Sequence, residues 1–284
     1  MNTKITIADL VQAKREKRKI VAVSCYDYPT AKLVAQTETQ MILVGDSAAQ
    51  VVLGFDSTLP ATMDYMVAIT AAVRRGAPNL YLVADMPFLS YHLGTSQAIK
   101  NAGRFIVEAG AQMVKIELSE PYLNVAKAVS DAGIALMAHI GIRPQTSVKV
   151  GRLRAEATTA EMAVQLVNLA EQAIYAGANS LLIEGTAAEV AEIITRRSEV
   201  PVISCGAGLG CDGQILIAPD ILGLSQQPGP KFAKSFANLA DTTVEAFAEY
   251  AQQVIQGRFP DDNHSYHMKR GQLERLRELL GNKR

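Results

Sequence analysis

Short apolar runs recur along the chain and alternate with longer segments in which apolar residues repeat every three to four positions. The runs cover residues 20–24, 41–44, 80–84, 113–116, 134–138, 181–183, 202–204 and 221–224. Each has strand length and is rich in Val, Ile and Leu. Nearly continuous apolar runs suit parallel strands covered on both faces. Between them the periodicity predicts helices, over 96–109 and 159–176 among others. Gly110, Gly133 and Gly177 follow such segments, the punctuation expected where a helix stops. Repeated strand–helix units predict a (β/α)8 TIM barrel, for which about 250 residues is typical. A doubly wound open sheet is the competing layout. No linker or composition break marks a second domain, so 1–284 reads as a single barrel domain. Helical segments are predicted beyond the last strand, over 232–257 and 259–267, with an extra helical tail over 268–284. The run from Lys14 to Lys19 reads as the exposed end of an N-terminal helix.

Composition narrows the class. The 284 residues are 49% hydrophobic and 20% charged, enough apolar material for a full core. Lys plus Arg and Asp plus Glu total 28 each, and this neutrality argues against a nucleic-acid partner. Cys25, Cys205 and Cys211 cannot build a disulfide framework in a chain of this length and fit a reducing cytoplasm. No apolar stretch approaches the roughly 18 residues of a membrane span, and residues 1–10 lack a secretory core. A soluble cytoplasmic protein with no membrane partner is the expectation.

Polar residues recur at the ends of the predicted strands, where a barrel of this kind carries its active site. Asp46 and Ser47 follow the second run and Asp85 the third; Lys115 and Glu117 close the fourth, His139 the fifth and Glu184 the sixth. Period-two geometry puts Lys115 and Glu117 on one face of their strand and Ile116 on the other. If Ile116 packs against helices, both charges point into the barrel. A structural ion pair would account for those two alone, but not for further carboxylates converging on the same mouth. Clustered carboxylates repel one another, and a bound cation is the usual way to neutralise them. Asp46, Asp85 and Glu117 therefore read as oxygen ligands for a hard ion, Mg²⁺ rather than zinc. His139 reads as a residue that lines the site, against substrate or simply packed, rather than as a metal ligand. The glycine-rich segment 206–213 lacks the strand–helix context of a dinucleotide fingerprint and reads as a tight loop at the barrel mouth. No Gly-x-Ser-x-Gly elbow is present.

Several of these segments form a recognisable set. They include Cys25-Tyr26-Asp27-Tyr28-Pro29, Val44-Gly45-Asp46-Ser47, Asp56-Ser57-Thr58-Leu59-Pro60 and Ala84-Asp85-Met86-Pro87-Phe88. Val114-Lys115-Ile116-Glu117, His139-Ile140-Gly141, Gly206-Ala207-Gly208, Cys211-Asp212-Gly213-Gln214 and Asp220-Ile221-Leu222-Gly223 continue it. Together, from about residue 6 to about residue 267, they make the chain resemble the 3-methyl-2-oxobutanoate (ketopantoate) hydroxymethyltransferase family. The resemblance implies a barrel of the phosphoenolpyruvate/2-oxo-acid type. It also implies transfer of a hydroxymethyl group from 5,10-methylenetetrahydrofolate, as co-substrate, to 3-methyl-2-oxobutanoate through an enolate stabilised by Mg²⁺. The product is 2-dehydropantoate, on the route to pantothenate.

Carried over position by position, Asp46, Asp85 and Glu117 match residues around the metal. Asp46, Ser47, Asp85 and Lys115 match contacts to the keto acid, with His139 beside them as a further candidate contact. Glu184 matches the proton acceptor, and Lys115 would help to neutralise developing charge. The family also implies a homo-oligomer, commonly a decamer. The chain departs from the family pattern at Ala48-Ala49-Gln50, at Leu118-Ser119, across a shortened 144–154 and at Thr186. These changes predict an altered acceptor preference or altered folate docking rather than loss of enolate chemistry. The competing reading is a folate-independent, Mg²⁺-dependent lyase or aldolase acting on another 2-oxo acid, and a barrel without catalysis is the third.

Overall fold

The structure, a computed structural model, describes residues 3–151, 154–225 and 229–281. Residues 152–153 of the shortened segment and 282–284 of the expected tail lie outside them. Contacts divide the chain into two compact units, Met1–Phe236 and Ala237–Arg284.

The first unit is a closed eight-stranded parallel barrel. Its strands are β1 (Ile20–Ser24), β2 (Met41–Val44), β3 (Tyr81–Asp85), β4 (Met113–Glu117), β5 (Leu136–Gly141), β6 (Ser180–Glu184), β7 (Val202–Cys205) and β8 (Gly213–Ile217). Each pairs with the next, and β8 pairs with β1 from Ile20↔Gly213 to Ser24↔Ile217. The helices are α1 (Ile7–Arg15), α2 (Tyr28–Val34), α3 (Ala48–Val51), α4 (Met63–Gly76), α5 (Thr95–Val107), α6 (Leu123–Asp131), α7 (Ser147–Val150), α8 (Ala160–Tyr175), α9 (Ala188–Arg197) and α10 (Ala218–Leu222). The expected (β/α)8 architecture is therefore present.

Alternation along the strands divides the core into two layers. Ile42, Val44, Leu82, Ala84, Val114, Ile116, Ala138 and Ile140 pack outward under the helices. Met41, Leu43, Tyr81, Val83, Met113, Met137, Leu182, Ile203 and Ile215 fill the barrel interior, and Leu10 and Ala13 of α1 join this inner cluster. Above that apolar floor the same inward positions become polar: Asp85, Lys115, Glu117, His139 and Glu184 all line one cavity.

Several local expectations shift. β3 extends past its apolar run, so Asp85 is its last residue rather than a residue after it, while Glu117 and Glu184 close β4 and β6 as expected. The run 221–224 is not the eighth strand: it falls in α10 and the turn after it, and β8 lies earlier, at Gly213–Ile217. Pro219 near the start of α10 favours a helix there, while the Gly-Gln start of β8 disguised a short strand. The glycine-rich loop does not stay at the mouth. It leaves β7 and reaches β8 without a helix, so it must run back along the barrel.

Two lysines of the 14–19 run hold this loop instead of merely facing solvent. Lys14 Nζ pairs with Asp212 Oδ2 at 2.7 Å, and Lys19 Nζ donates to the Leu209 carbonyl at 3.1 Å. Of the predicted helices, 159–176 appears as α8, with the Thr159 hydroxyl capping its N-terminus by accepting from the Met162 N–H.

The second unit contains α11 (Leu239–Ile255) and α12 (Gln272–Leu279). The helix predicted from residue 232 begins only at Leu239, and the described part of the tail predicted over 268–284 contributes one two-turn helix. Phe259 packs against Tyr250, with ring centroids 5.6 Å apart.

The passage from β5 to β6 is tight. Gly141 closes β5 at φ +88°, and a Cβ there would lie 2.3 Å from the Glu184 carbonyl oxygen. Gly133 has a similar φ, +82°, with open space around it. Gly133→Ala should therefore cost only the left-handed penalty, about 1–2 kcal/mol. Gly141→Ala should cost clearly more and disturb β6 at Glu184; urea denaturation of the two variants side by side checks the ranking.

Candidate active site

A cavity of about 530 Å³ opens at the C-terminal ends of the strands. Asp46, Ser47, Asp85, Lys115, Glu117, His139 and Glu184 all line it, so every candidate named from the sequence is brought to one place. Ile116 is fully buried in the outer layer, which turns Lys115 and Glu117 inward as the alternation predicts.

Lys115 is the hub. Strand register sets Asp85 opposite Lys115 and Glu117 opposite His139. Lys115 Nζ lies 2.9 Å from Asp85 Oδ2 and 3.1 Å from His139 Nδ1. Burial opposes the ammonium charge, but Asp85, Asp46 and Glu117 outweigh it and raise the lysine above its usual range. A charged lysine must donate to His139, so Nδ1 accepts and the ring proton of neutral His139 sits on Nε2. Burial, and then the Lys115 charge, lower the pKa of His139, which favours the neutral ring. Nε2 faces Glu184 Oε2 at 3.3 Å, too poorly aligned to count as a hydrogen bond. Glu184 itself is more open than its neighbours, with its side chain 20% exposed.

The carboxylates are under-compensated. Burial raises Asp85 against the pull of Lys115, and pushes Glu117 up to about 9. Asp85 Oδ1 is buried with no hydrogen-bond partner among the described residues. Asp46, at the end of the loop after β2, is also buried, and its backbone N–H donates to Asp85 Oδ2 at 3.1 Å. Ser47 Oγ lies 2.8 Å from Tyr26 Oη. Among the described residues, five acidic side chains, Asp220 with Asp46, Asp85, Glu117 and Glu184, and one lysine thus line the cavity. No three His, Cys, Asp or Glu side chains among the described residues stand in a metal-holding cluster. The hard-oxygen donors, the orphaned Asp85 Oδ1 and the raised carboxyls nonetheless fit a hard divalent cation as the missing charge.

The sequence reading missed Gln145. It sits in a single 3-10 turn, Pro144–Thr146, just beyond β5, and is 3% exposed. Its Nε2 donates to Asp46 Oδ2 at 2.8 Å, and its backbone N–H lies 3.2 and 3.0 Å from the two Glu117 carboxylate oxygens. Being uncharged, it carried no signal in a pattern of ionisable residues; its place directly after a strand end was the available clue. Cys205, at the end of β7, also lines the cavity. Burial and the neighbouring Glu184 push its thiol well above the usual range, so it stays protonated and is no nucleophile.

Solved structures similar to this chain share the barrel at low identity. Phosphonopyruvate hydrolase matches with TM-score 0.60 and 15% identity, covering 99% of this chain and 96% of that one. A 2,3-dimethylmalate lyase, described as a PEP mutase/isocitrate lyase superfamily member, matches with TM-score 0.57 and 16% identity, covering 97% and 95%. At such identity the likeness speaks for fold alone. Sequence relatives are much nearer. A 3-methyl-2-oxobutanoate hydroxymethyltransferase of Hyperthermus butylicus is 46% identical, over 98% of this chain and 96% of the relative. One of Geobacillus thermodenitrificans is 42% identical, over 93% and 95%. A profile of the family described as Ketopantoate hydroxymethyltransferase matches residues 4–262. With the barrel closed and the inward strand ends gathered in one cavity, the chain belongs to the ketopantoate hydroxymethyltransferase family.

Proposed function

We propose that this protein transfers a hydroxymethyl group from 5,10-methylenetetrahydrofolate to 3-methyl-2-oxobutanoate, giving 2-dehydropantoate. The observation that carries the mechanism is the line Asp85–Lys115–His139–Glu184, which brings a partly open carboxylate into the cavity that holds a buried, ion-paired lysine. Asp46, Asp85 and Glu117 would hold Mg²⁺, and a bound Mg²⁺ supplies Lewis-acid stabilisation of negative charge on the oxygens of a 2-oxo acid.

The chain's own residues do the rest. Lys115 offers a fixed positive charge to the substrate carboxylate, or to charge developing on the ketone oxygen, and cannot be screened by water at its depth. Ser47 and the Asp46 side chain flank the same space. Glu184, open on one side to the cavity, accepts the proton from C3 of the keto acid. The neutral His139 turns its Nε2–H toward Glu184 at 3.3 Å without a formed hydrogen bond, so it borders the base rather than holding it. The C3 carbon of the enolate then bonds to the one-carbon unit as that carbon is released from the folate nitrogens, leaving tetrahydrofolate. One water supplies the hydroxyl oxygen, so the site must hold donor and acceptor together and admit that water.

Exposed apolar side chains on α11, Val244, Phe247 and Tyr250 among them, support self-association of the chain, which the family resemblance gives as a decamer. Unpaired Cys25, Cys205 and Cys211 support a cytoplasmic setting. No helix among the described residues is long and apolar enough to cross a membrane.

Two measurements test the reading. NMR following deuterium uptake at C3 of 3-methyl-2-oxobutanoate should show exchange that requires Mg²⁺, and product only when the folate donor is added. Glu184→Gln should keep keto-acid binding and lose exchange by about 10²–10⁴-fold; undiminished exchange would remove Glu184 from the base role. Exchange without any transfer would favour the folate-independent lyase or aldolase. In the second, ¹⁵N shifts of His139 should report the neutral ring protonated at Nε2, and the opposite tautomer would contradict the Lys115 contact.

A further inference from the structure

We propose that Gln145 is a positioning residue that presets Asp46 and Glu117 for a single divalent cation. The inference rests on the reading of those two carboxylates as cation ligands. Neither is fixed relative to the other by the barrel. Glu117 ends β4, whereas Asp46 lies past the end of β2, with β3 between the two strands. Gln145, from the turn after β5, reaches both. Its backbone N–H bridges the two Glu117 oxygens, and its side-chain amide reaches Asp46.

The amide is locked in one orientation. Nε2 donates both to Asp46 Oδ2 at 2.8 Å and to the Met86 carbonyl at 3.1 Å, which uses its two hydrogens. Oε1 accepts from the Tyr91 hydroxyl at 2.8 Å. Turning the amide over would set its oxygen against a carboxylate and a carbonyl, two contacts between acceptors. Tyr91 is fully buried, and without its hydroxyl Oε1 would lose this partner inside the protein. The restraint is also economical in lone pairs. Among the described residues one hydrogen-bond donor meets each carboxylate, and a carboxylate has about four acceptor sites, so oxygen remains on both for a cation. Asp85 Oδ1, already without a partner, belongs to the same rim. A ligand held in place before binding loses less freedom when the ion arrives, which is how outer hydrogen bonds tune metal affinity.

Gln145 could instead merely tie its turn to the barrel, and metal affinity separates the two roles. Titration of the full-length protein with Mn²⁺, read by EPR of the free ion, gives the affinity without any turnover. Gln145→Ala should weaken Mn²⁺ binding about 10–100-fold. The Mg²⁺ concentration needed for half-maximal activity should rise in step, with turnover rescued as Mg²⁺ is raised. Tyr91→Phe keeps the ring and should weaken Mn²⁺ binding by about 3–10-fold; it decides the matter if Gln145→Ala fails to fold. Asp46→Asn is the control on the underlying reading, because wild-type affinity in that variant would remove Asp46 as a ligand whatever Gln145 does. If Asp46→Asn loses Mn²⁺ while Gln145→Ala and Tyr91→Phe bind it as the wild type does, the positioning role is overturned. A loss of turnover that added Mg²⁺ does not recover, with Mn²⁺ affinity unmoved, would overturn it equally.

Discussion

A lysine ammonium 4% exposed inside a protein is tolerated only where opposite charge and hydrogen-bond acceptors meet it, and Lys115 finds them through strand register. β3 and β4 pair so that Asp85 stands beside Lys115, and β4 and β5 pair so that Glu117 stands beside His139. A slip of one residue in either pairing would turn Lys115 outward under the helices, beside Ala84 and Ala138 of the flanking strands, where nothing could balance it. The charge thus constrains the barrel as much as the barrel positions the charge. It also fixes the imidazole, because Nδ1 facing an ammonium can only accept, which leaves the ring's donor turned to Glu184.

The same cavity is left short of positive charge. Asp46, Asp85, Glu117 and Glu184 share one lysine, and Glu117 is pushed up to about 9 chiefly by burial. Left alone, such a cluster favours taking up protons, which costs stability relative to an apolar mouth. Active sites commonly retain unfavourable arrangements of this kind, because the strain is relieved when a cation and an anionic substrate arrive together. The apolar floor beneath, from Leu43, Leu182 and Ile215, keeps the dielectric low and makes each of these charges count for more.

Much of the site was legible because charge at the end of an apolar run is conspicuous. Asp85, Glu117 and Glu184 interrupt strands that are otherwise Val, Ile, Leu and Ala, and the alternation at Lys115, Ile116 and Glu117 is enough to say which way each points. The eighth strand was less legible. Gly213 and Gln214 hid its start, and Ile221 and Leu222, apolar and closely spaced, imitate a strand although they belong to a short helix. Short apolar stretches do not distinguish the two without a partner strand; here β1 decided it, by pairing with 213–217 along its whole length. Lys14 was misread for a related reason. Its partner, Asp212, is far away in the sequence and becomes a neighbour only when the barrel closes.

The order of apolar runs and helical segments, the polar residues that end the runs and the motifs spread along the chain were enough to determine the barrel, the family and the list of candidate side chains. These are local properties, written in periods of two and 3.6 residues. Only the tertiary structure decided which of those side chains touch. It placed Lys115 between Asp85 and His139, set Glu184 against the far side of the ring, and brought the uncharged Gln145 across to Asp46 and Glu117. Hydrogen bonds act over about 3 Å, and no local pattern records which distant residues a closed barrel will bring within that reach.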